Sequence, residues 1–521
     1  MTTRNDLTLP APLSREAREE TCIPSSSLAP RGRRGWWVRF RLLSLAALGV
    51  TLIPLYSAFL PAARAGVTSA GFGWLLSGVT ALYLAACALI LRSRPARGGW
   101  RWAELGVILL IGLALRAVVF GSPPLLSPDA WRYAWDPYLI VHGFSPYTHT
   151  PLDPALTALR DHAIWPNIRF RNAPTIYPPA AQGMFLLTYA VAPLNIFGVK
   201  GAIEVCDVLA CLLTLLILRQ RGLDLRRVVL YWWAPIPVLE FALNAHVDAE
   251  AILWTLAALL VSAAQWRGAR VAMGALLGLA ALTKLYPLLF VIALIRRRDY
   301  GLLAGLLSVL ALGYAPFVAL GLGSGGFLGA YLSQRNVDQG LLLGWLDAGV
   351  TPFTHAAPAL VAADLLALAL ACGLIALYRW RIGLDAVTGL LALSIAWVLL
   401  SPHVFPWYIG ALLPLIALAG VSSPALTPTA RACWLFALGV PYTYILFTPG
   451  EPTGLFTGLF IASAALGLAA LLSAQTRAAC LARLRRLFAA PTRAELTRFW
   501  RACLPPLPGL PGATTVAIEG E

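Results

Sequence analysis

The side chains that could do chemistry in this chain gather in one polar segment, 127–179, which begins SPDAWRYAWDPYLIVHGFSPYTHTP. Serine followed by proline is a common helix start, so Ser127 and Pro128 predict a helix beginning here. Four residues then share one helix face at i, i+3, i+4 and i+7: Asp129, Arg132, Tyr133 and Asp136. A carboxylate beside a cation and a phenol can act as a general base next to a phosphate or sugar clamp.

Structural explanations stay open for both carboxylates. An acidic residue in the first turn of a helix also complements the helix dipole, which would account for Asp129 without chemistry. Asp136 precedes Pro137, and a residue before proline is restricted in conformation. We therefore expect the helix to end at Asp136, and a structural role is favoured there.

Further candidates lie where apolar runs are interrupted. Lys284 separates two apolar half-helices, where it could bind an anionic headgroup or extend its amine to the membrane surface. His246 and Asp248 lie in NAHVDAE, and His403 lies in SPHVFPWY; each can also be structural. HVD lacks a third ligand at fixed spacing, so no metal is predicted. Nucleotide-binding motifs are missing as well, and no cofactor is expected.

Composition defines the environment of these residues. The chain has 521 residues, of which 59% are hydrophobic and 12% charged, against about 25% charged in ordinary soluble domains. An all-α polytopic membrane protein is therefore predicted. The net charge of +16 comes from arginines in short segments between apolar runs, which is the positive-inside pattern rather than a nucleic-acid surface. None of the eight cysteines lies in 122–200, so no disulfide framework is predicted.

Arginine placement predicts the topology. The first three spans are expected at 42–61, 72–92 and 102–121. The connector RSRPARGGWR after the second span is basic and should be cytoplasmic, so the loop 122–200 should lie outside. If 180–197 crossed the membrane, the basic RQRGLDLRR would lie outside. We therefore predict an interfacial or re-entrant helix at 180–197 and a crossing at 201–218.

The remaining pattern predicts about 12–14 spans in total, with both termini cytoplasmic. The later spans are expected at 228–245, 249–266, the broken pair 270–283 and 285–295, 301–321, 356–378, 384–400, 405–420, 431–447 and 455–473. The predicted parts are a disordered tail 1–34, two additional spans in 35–101, a core 102–473 and a basic tail 474–521. In this topology seven ionisable residues share the outer side: Asp129, Asp136, His246, Asp248, Lys284, Arg335 and His403. Charges at membrane depth usually mark function, so one outer site is expected.

Several strings resemble a known family. PDAWRYAWDPYLIVHGFSPY, LRDHAIWPNI and TIYPPAAQGMF are similar to the first outer loop of the GT-C membrane glycosyltransferases, in particular the bacterial polyprenyl-phosphate-mannose-dependent enzymes of glycosyltransferase family 87 and its relatives. NAHVDAEAI, ALTKLYPLLF and SPHVFPWYIGALLPL resemble later signatures of that group, in the same order. The resemblance covers 104–414.

The resemblance implies a GT-C helical bundle whose first outer loop forms juxtamembrane helices, with Asp129 as the catalytic base. Many relatives carry a second acid directly after it, where this chain has Ala130, so a divalent metal is not indicated. Asp136 matches the aspartate of the relatives' W-D-G string, with Pro137 in place of glycine, and remains the second carboxylate candidate.

The implied activity is inverting transfer of a sugar, mannose being expected, from a polyprenyl-phosphate donor to a lipid-linked or glycan acceptor at the outer face of a bacterial cytoplasmic membrane. The candidates for binding the donor phosphate or sugar are Lys284, His403, Arg132, Tyr177, His246 and Asp248. Two alternatives stay open. A transporter or flippase of a lipid-linked or anionic substrate would also use broken helices and buried charges, and the chain could be a non-catalytic binding component of an envelope assembly.

Overall fold

The computed structural model describes residues 31–66, 70–96, 98–319, 357–401, 405–420 and 426–446, and isolated positions between 462 and 482. This part of the chain is built from helices and contains no strand, which confirms the predicted all-α class. Six of its helices are long and apolar enough to cross a membrane, or seven if one bent pair counts as a single span. The protein is a helical polytopic membrane protein.

The first half of the described chain contains six α-helices, with two 3-10 helices (Pro154–Leu159 and Trp165–Asn167) between the fourth and the fifth: α1 (Arg31–Ala65), α2 (Ala70–Leu91), α3 (Gly99–Phe120), α4 (Asp129–Val141), α5 (Pro179–Val191) and α6 (Ile196–Gln220). Helices α2 and α3 both pack against α1. The three predicted N-terminal spans are confirmed as span-length helices, although α1 extends beyond the expected 42–61 and contains Pro54 and Pro61.

Helices α5 and α6 agree with the predicted division of 180–218. Helix α5 has 13 residues, which makes it about 20 Å long, whereas a hydrocarbon core is about 30 Å thick. It is therefore too short to cross, as the arginine pattern indicated for 180–197. Helix α6 has 25 residues and meets the length and hydropathy of a span.

The expected continuous span 228–245 is wrong. In its place the chain forms a 3-10 turn (Leu225–Val228), α7 (Val229–Trp232) and a π-helix (Pro237–Leu243), followed by α8 (Asp248–Val261). Pro235 and Pro237 lack backbone N–H groups, so two hydrogen bonds of a regular α-helix are missing within one turn, which disfavours a straight span here. The π-helix and α8 meet at 114°, either as a broken span or as a re-entrant loop.

The second half begins with α9 (Ala269–Thr283), which ends at Lys284 as predicted. The chain continues through a 3-10 helix (Tyr286–Phe290), α10 (Val291–Leu294), α11 (Tyr300–Ala319), α12 (Ala357–Ile382), α13 (Ala386–Leu400), a 3-10 helix (Pro406–Ala411), α14 (Leu412–Leu418), α15 (Pro428–Gly439), a 3-10 turn (Val440–Tyr442) and α16 (Thr443–Leu446). Several predicted spans are thus shorter than a membrane crossing, so the described residues do not reach 12–14. Arg335, His403 and, apart from isolated positions, the span 455–473 lie outside the described residues.

The prediction that the first outer helix ends at Asp136 is also wrong, because α4 continues through Pro137 to Val141. Proline at this position removes one backbone hydrogen bond. Side-chain contacts of the residue before the proline hold this turn of α4 in place. Arg132 Nε donates to Asp136 Oδ1 at 2.6 Å, and Gln182 Nε2 of α5 donates to Asp136 Oδ2 at 3.0 Å. The start also differs by one residue, since Pro128 is the N-cap.

Candidate functional site

Asp129 occupies the first position of α4, in the segment that follows α3. Its backbone N–H donates to Ser127 Oγ at 3.4 Å. Ser127 therefore contacts the start of the helix, although it lies one residue before the N-cap, Pro128. Its carboxylate Oδ2 lies 3.8 Å from His246 Nδ1. Helix α4 therefore places Asp129 directly against the break between the π-helix and α8.

His246 lies between two carboxylates. Its Nδ1 faces Asp129, and its Nε2 lies 3.5 Å from Glu240 Oε2 in the π-helix. The ring stacks on Trp407 with centroids 3.7 Å apart and planes at 14°. The preceding Ala245 has φ 58°, a strained value for a residue with a side chain. The backbone is therefore strained at Ala245, the residue that precedes and orients His246.

Lys284 provides the cation of the cluster. The residue ends α9 in an extended conformation, and its Nζ lies 3.2 Å from Asp248 Oδ2, at the start of α8. The amine also lies 4.8 Å from the centroid of the Tyr408 ring and 6.0 Å from that of Tyr177. These contacts hold the charge within the protein, whereas a snorkelling lysine would extend away from it.

Exposure separates the members of the cluster. Asp129 and Lys284 have side chains that are 23% and 14% exposed, whereas Asp248 is 1%, Glu240 2% and His246 0% exposed. A ligand approaching this site would therefore meet the aspartate and the lysine first. The histidine and the other two carboxylates lie behind them.

Burial raises the pKa of the Asp129 carboxyl above its ordinary value, because desolvation disfavours the charged form. The positive charge of Lys284 and a hydrogen bond with Tyr177 oppose this and lower the pKa, while the negative charge of Asp248 adds to the rise. Burial also raises the pKa of the Tyr177 phenol well above its usual range, so this hydroxyl stays protonated and can donate. Asp129 combines a raised pKa with partial access, as expected of a general base.

Tyr177 is held firmly beside Asp129. Its ring contacts Tyr133 edge to face, with centroids 4.8 Å apart, and Phe185 of α5 at 5.8 Å. Its backbone carbonyl accepts a 2.9 Å hydrogen bond from the Tyr147 hydroxyl. The predicted position of Tyr177 in the site is therefore consistent with the structure, through contact with Asp129 and proximity to Lys284.

Arg132 and Asp136 form a separate buried ion pair on α4. Arg132 Nη1 also donates to the Ala173 carbonyl at 3.1 Å, and Asp136 receives the amide of Gln182. These contacts join α4 to α5 and to the end of the segment between them. Of the predicted site residues, the structure brings together Asp129, Tyr177, His246, Asp248 and Lys284. Arg132 and Asp136 instead form the separate connection between α4 and α5.

Sequence reasoning missed two side chains, Lys200 and Asn244, that hold the segments of the site together. The buried Lys200 of α6 donates to the carbonyl oxygens of Val119, Ser122 and Leu243 at 3.3, 2.5 and 3.0 Å. Asn244 Oδ1 accepts hydrogen bonds from the backbone N–H groups of Leu125 and Leu126, in the segment before α4, at 3.3 and 3.0 Å. Both contacts hold the end of α3 against the π-helix, which sets the separation of Asp129 and His246.

Glu240 and Tyr444 were also missed. The Tyr444 hydroxyl donates to Glu240 Oε1 at 2.9 Å and lies 3.1 Å from Oε2, and Asn244 Nδ2 donates to Oε2 at 3.1 Å. An acidic residue inside an apolar run was the signal that could have identified Glu240. No comparable signal exists for Tyr444, because its partner is 204 positions away in the sequence.

The fold and the site together define a helical polytopic membrane protein with a charged cluster at two helix breaks. Within the described residues, no three histidine, cysteine or acidic side chains are grouped so as to hold a metal ion; that no metal or cofactor is needed stays a prediction. No protein-family model matches the chain, and no curated protein matches it at a significant level.

Proposed function

We propose that the protein is an inverting membrane glycosyltransferase that moves a sugar, mannose being expected, from a polyprenyl-phosphate donor to a lipid-linked or glycan acceptor at the outer membrane face. The observation that carries the proposal is that one cluster holds a partly exposed carboxylate, Asp129, and a partly exposed ammonium, Lys284, whose charge acts on that carboxylate while its amine is paired with Asp248. Inverting transfer from a phosphate-activated sugar needs these two groups: a base for the acceptor and a cation for the leaving phosphate.

In the proposed reaction the Asp129 carboxylate removes the proton from the acceptor hydroxyl. The acceptor oxygen attacks the anomeric carbon, and the bond from that carbon to the phosphate oxygen breaks, leaving its electron pair on the polyprenyl phosphate. Lys284 stabilises that anion. Its amine is paired with Asp248 at 3.2 Å. On donor binding, the phosphate would replace the Asp248 carboxylate as the partner of the Lys284 amine.

The Tyr177 hydroxyl keeps the base in place. As a donor to Asp129 it favours the ionised carboxylate and limits the rise of the pKa that burial causes. The rings of Tyr177 and Tyr408 lie beside the Lys284 amine and are both buried, so they position the amine and leave Asp129 as the more accessible group. The acceptor hydroxyl would therefore approach from the exposed edge of Asp129.

The test compares wild type with Asp129→Asn in lipid nanodiscs, with radiolabelled polyprenyl-phosphate mannose and a mixed glycolipid acceptor pool. We expect wild type to transfer label and Asp129→Asn to lose about 10²- to 10⁴-fold in rate, the usual contribution of a general base, while retaining donor binding. Asp161→Asn is the matched control, because Asp161 only accepts backbone hydrogen bonds within the outer loop. Equal transfer by Asp129→Asn and wild type would refute Asp129 as the base.

A transporter or flippase is the second candidate, favoured by one observation. Two helix breaks meet at the charged cluster, one between the π-helix and α8 at 114° and one at Lys284, and discontinuous helices with buried charges are typical of transport sites. Uptake or flipping of a fluorescent lipid-linked sugar by proteoliposomes, without any transfer of label to an acceptor, would favour this function over the enzyme.

A further inference from the structure

Three arginines from separate segments form a basic cluster at the end of α9 that is remote from Lys284. Arg270 lies in the first turn of α9, Arg296 follows α10, and Arg379 lies near the end of α12. The positive charge of Arg296 acts on both other arginines, and that of Arg379 acts on Arg270. Helix α9 has 15 residues, about 22 Å, so the basic cluster is well separated from the Asp129 site.

Backbone carbonyl groups hold two of these side chains in fixed positions. Arg270 Nη2 donates to the Leu294 carbonyl oxygen at 3.1 Å. Arg379 Nη1 donates to the Ile292 carbonyl oxygen at 3.0 Å and also to that of Ile295. Both guanidinium groups are thereby gathered at the end of α10, where carbonyl groups lack helical partners. The neutral carbonyls orient the two charges but do not neutralise them.

Among the described residues, Asp299 is the one carboxylate that forms an ion pair with the basic cluster. Its side chain pairs with Arg270, and its Oδ2 accepts from the Arg296 backbone N–H at 3.0 Å. One negative charge therefore faces three positive ones. The side chains of Arg270 and Asp299 are 22% and 4% exposed, so water screens the repulsion among the arginines incompletely. An anion bound beside them would stabilise the folded protein.

The basic cluster lies at the level of the membrane surface. Helices α11 and α12 both contain a segment long and apolar enough to cross a membrane; the first begins at Tyr300 and the second ends just after Trp380. Tyr300 and Trp380 are 72% and 62% exposed, which is typical of aromatic side chains in the headgroup region. Arg296, Arg297 and Arg298 are exposed beside Tyr300. The anion that a bilayer supplies at this depth is the phosphate of a lipid headgroup.

We propose that the basic cluster, together with the exposed Arg297 and Arg298, binds the headgroup of one acidic phospholipid from the leaflet at this surface. Guanidinium groups bind phosphate oxygens through paired N–H donors, and basic pockets between membrane helices hold acidic headgroups. The arginine pattern predicts that this leaflet is the cytoplasmic one. The lipid joins α9, α10 and α12 on the side away from Asp129 and takes no part in sugar transfer.

Lipid binding can be counted by native mass spectrometry of the delipidated protein in detergent, titrated with phosphatidylglycerol or with phosphatidylcholine. Wild type should bind one phosphatidylglycerol about 10-fold or more tightly than phosphatidylcholine, since each nearby arginine adds to the attraction for an acidic headgroup. The triple variant Arg296→Gln/Arg297→Gln/Arg298→Gln should lose this preference. Arg270 and Arg379 stay unchanged in the variant, because they also hold the end of α10.

The matched control is Arg92→Gln/Arg94→Gln/Arg219→Gln, which removes the same charge from exposed arginines in two other basic connectors. This control should keep the preference for phosphatidylglycerol. Equal loss of the preference in both triple variants would mean that overall charge attracts the lipid, and it would overturn the site. Absence of a preference in wild type would overturn it as well.

Thermal unfolding in nanodiscs separates lipid binding from a direct effect on the fold. Compared with phosphatidylcholine, phosphatidylglycerol should raise the unfolding midpoint of wild type and of the control, and leave that of the 296–298 variant unchanged. A lower midpoint of the 296–298 variant in phosphatidylcholine alone would show that these arginines support the fold without lipid. An equal rise when inorganic phosphate is added to wild type in phosphatidylcholine would show a free-anion site. Either result would overturn the lipid site.

Discussion

Lys284 determines how the proposed base responds to pH. Burial raises the pKa of Asp129, and the ammonium of Lys284 is the strongest influence that lowers it. A general base acts in its ionised form, so activity should fall as pH decreases through this raised pKa. The acidic limb of the rate profile should therefore lie above the range of an exposed aspartate, whose ordinary pKa is 3.8.

Replacing Lys284 by glutamine should move this limb to higher pH, because loss of the positive charge raises the pKa of Asp129 further. The measurement is the pH dependence of kcat with saturating polyprenyl-phosphate mannose. Lys284→Arg keeps the charge and should leave the limb in place, which separates the electrostatic effect from the loss of donor binding. An acidic limb that is unchanged or lower in Lys284→Gln would contradict the assignment.

At the scale of elements, α9 and α11 meet through glycines. Gly274 and Gly278 of α9 and Gly301 and Gly305 of α11 each form a G-x-x-x-G pattern. A methyl group built on Gly274 would overlap the Leu302 carbonyl oxygen, and one on Gly305 would overlap the Val271 carbonyl oxygen. Small residues let two membrane helices approach closely, which gains van der Waals contact. This contact supports the helix that delivers Lys284.

Gly305→Leu should destabilise the protein by about 1–3 kcal/mol, the usual cost of overpacking a close contact. Its thermal unfolding midpoint in detergent should fall, and transfer activity with it, because α9 shifts. Gly106→Leu provides the matched control, since Gly106 also lies in a span-length helix but has open space beside it. Equal unfolding midpoints for the two variants would mean that the α9–α11 contact contributes little.

The continuation of α4 through Pro137 is an element-scale effect too. Local preference opposes a helix there, but the Arg132–Asp136 pair at 2.6 Å and the Gln182 contact hold the next turn in place. Removal of one partner of a buried ion pair leaves an uncompensated charge. The pair therefore keeps the helix that begins with Asp129 fixed to α5.

At the scale of the whole molecule, the two ends of α3 have opposite character. Near its start the buried Glu104 pairs with Arg226 at 2.8 Å and with Arg41 of α1 at 2.5 Å. Beyond its other end lies the segment leading to Asp129. Helix α3 has 22 residues, about 33 Å, enough to span a hydrocarbon core. The arginine cluster and the site thus lie at opposite ends of a membrane-length helix, in agreement with the positive-inside rule.

Cysteine labelling should check this orientation in right-side-out membrane vesicles, with a background in which the eight native cysteines are replaced. His162→Cys, exposed in the outer loop, should react with a membrane-impermeant maleimide from outside. Pro95→Cys, exposed between α2 and α3, should react only after the vesicles are opened. The reverse pattern would place the Asp129 site in the cytoplasm and exclude the proposed topology.

Part of the site was predictable from sequence because its signals are local. Lys284 between two apolar half-helices predicted the break that ends α9, and the serine–proline pair predicted a helix start within one residue of Asp129. His246 and Asp248 stood out as ionisable groups in an apolar setting. The continuous span at 228–245 was wrong because hydropathy does not register the effect of Pro235 and Pro237 on backbone hydrogen bonding.

The amino-acid sequence by itself determined that this is a polytopic helical membrane protein, because apolar runs of span length and arginine-rich connectors follow from composition alone. It also singled out Asp129, His246, Asp248 and Lys284 as ionisable residues in or beside apolar runs. Only the tertiary structure decided which of them meet. His246 lies between Asp129 and Glu240, while Arg132 joins Asp136. The physical reason is that contacts between separate helices depend on crossing angles and backbone breaks, which side-chain periodicity along one helix does not specify.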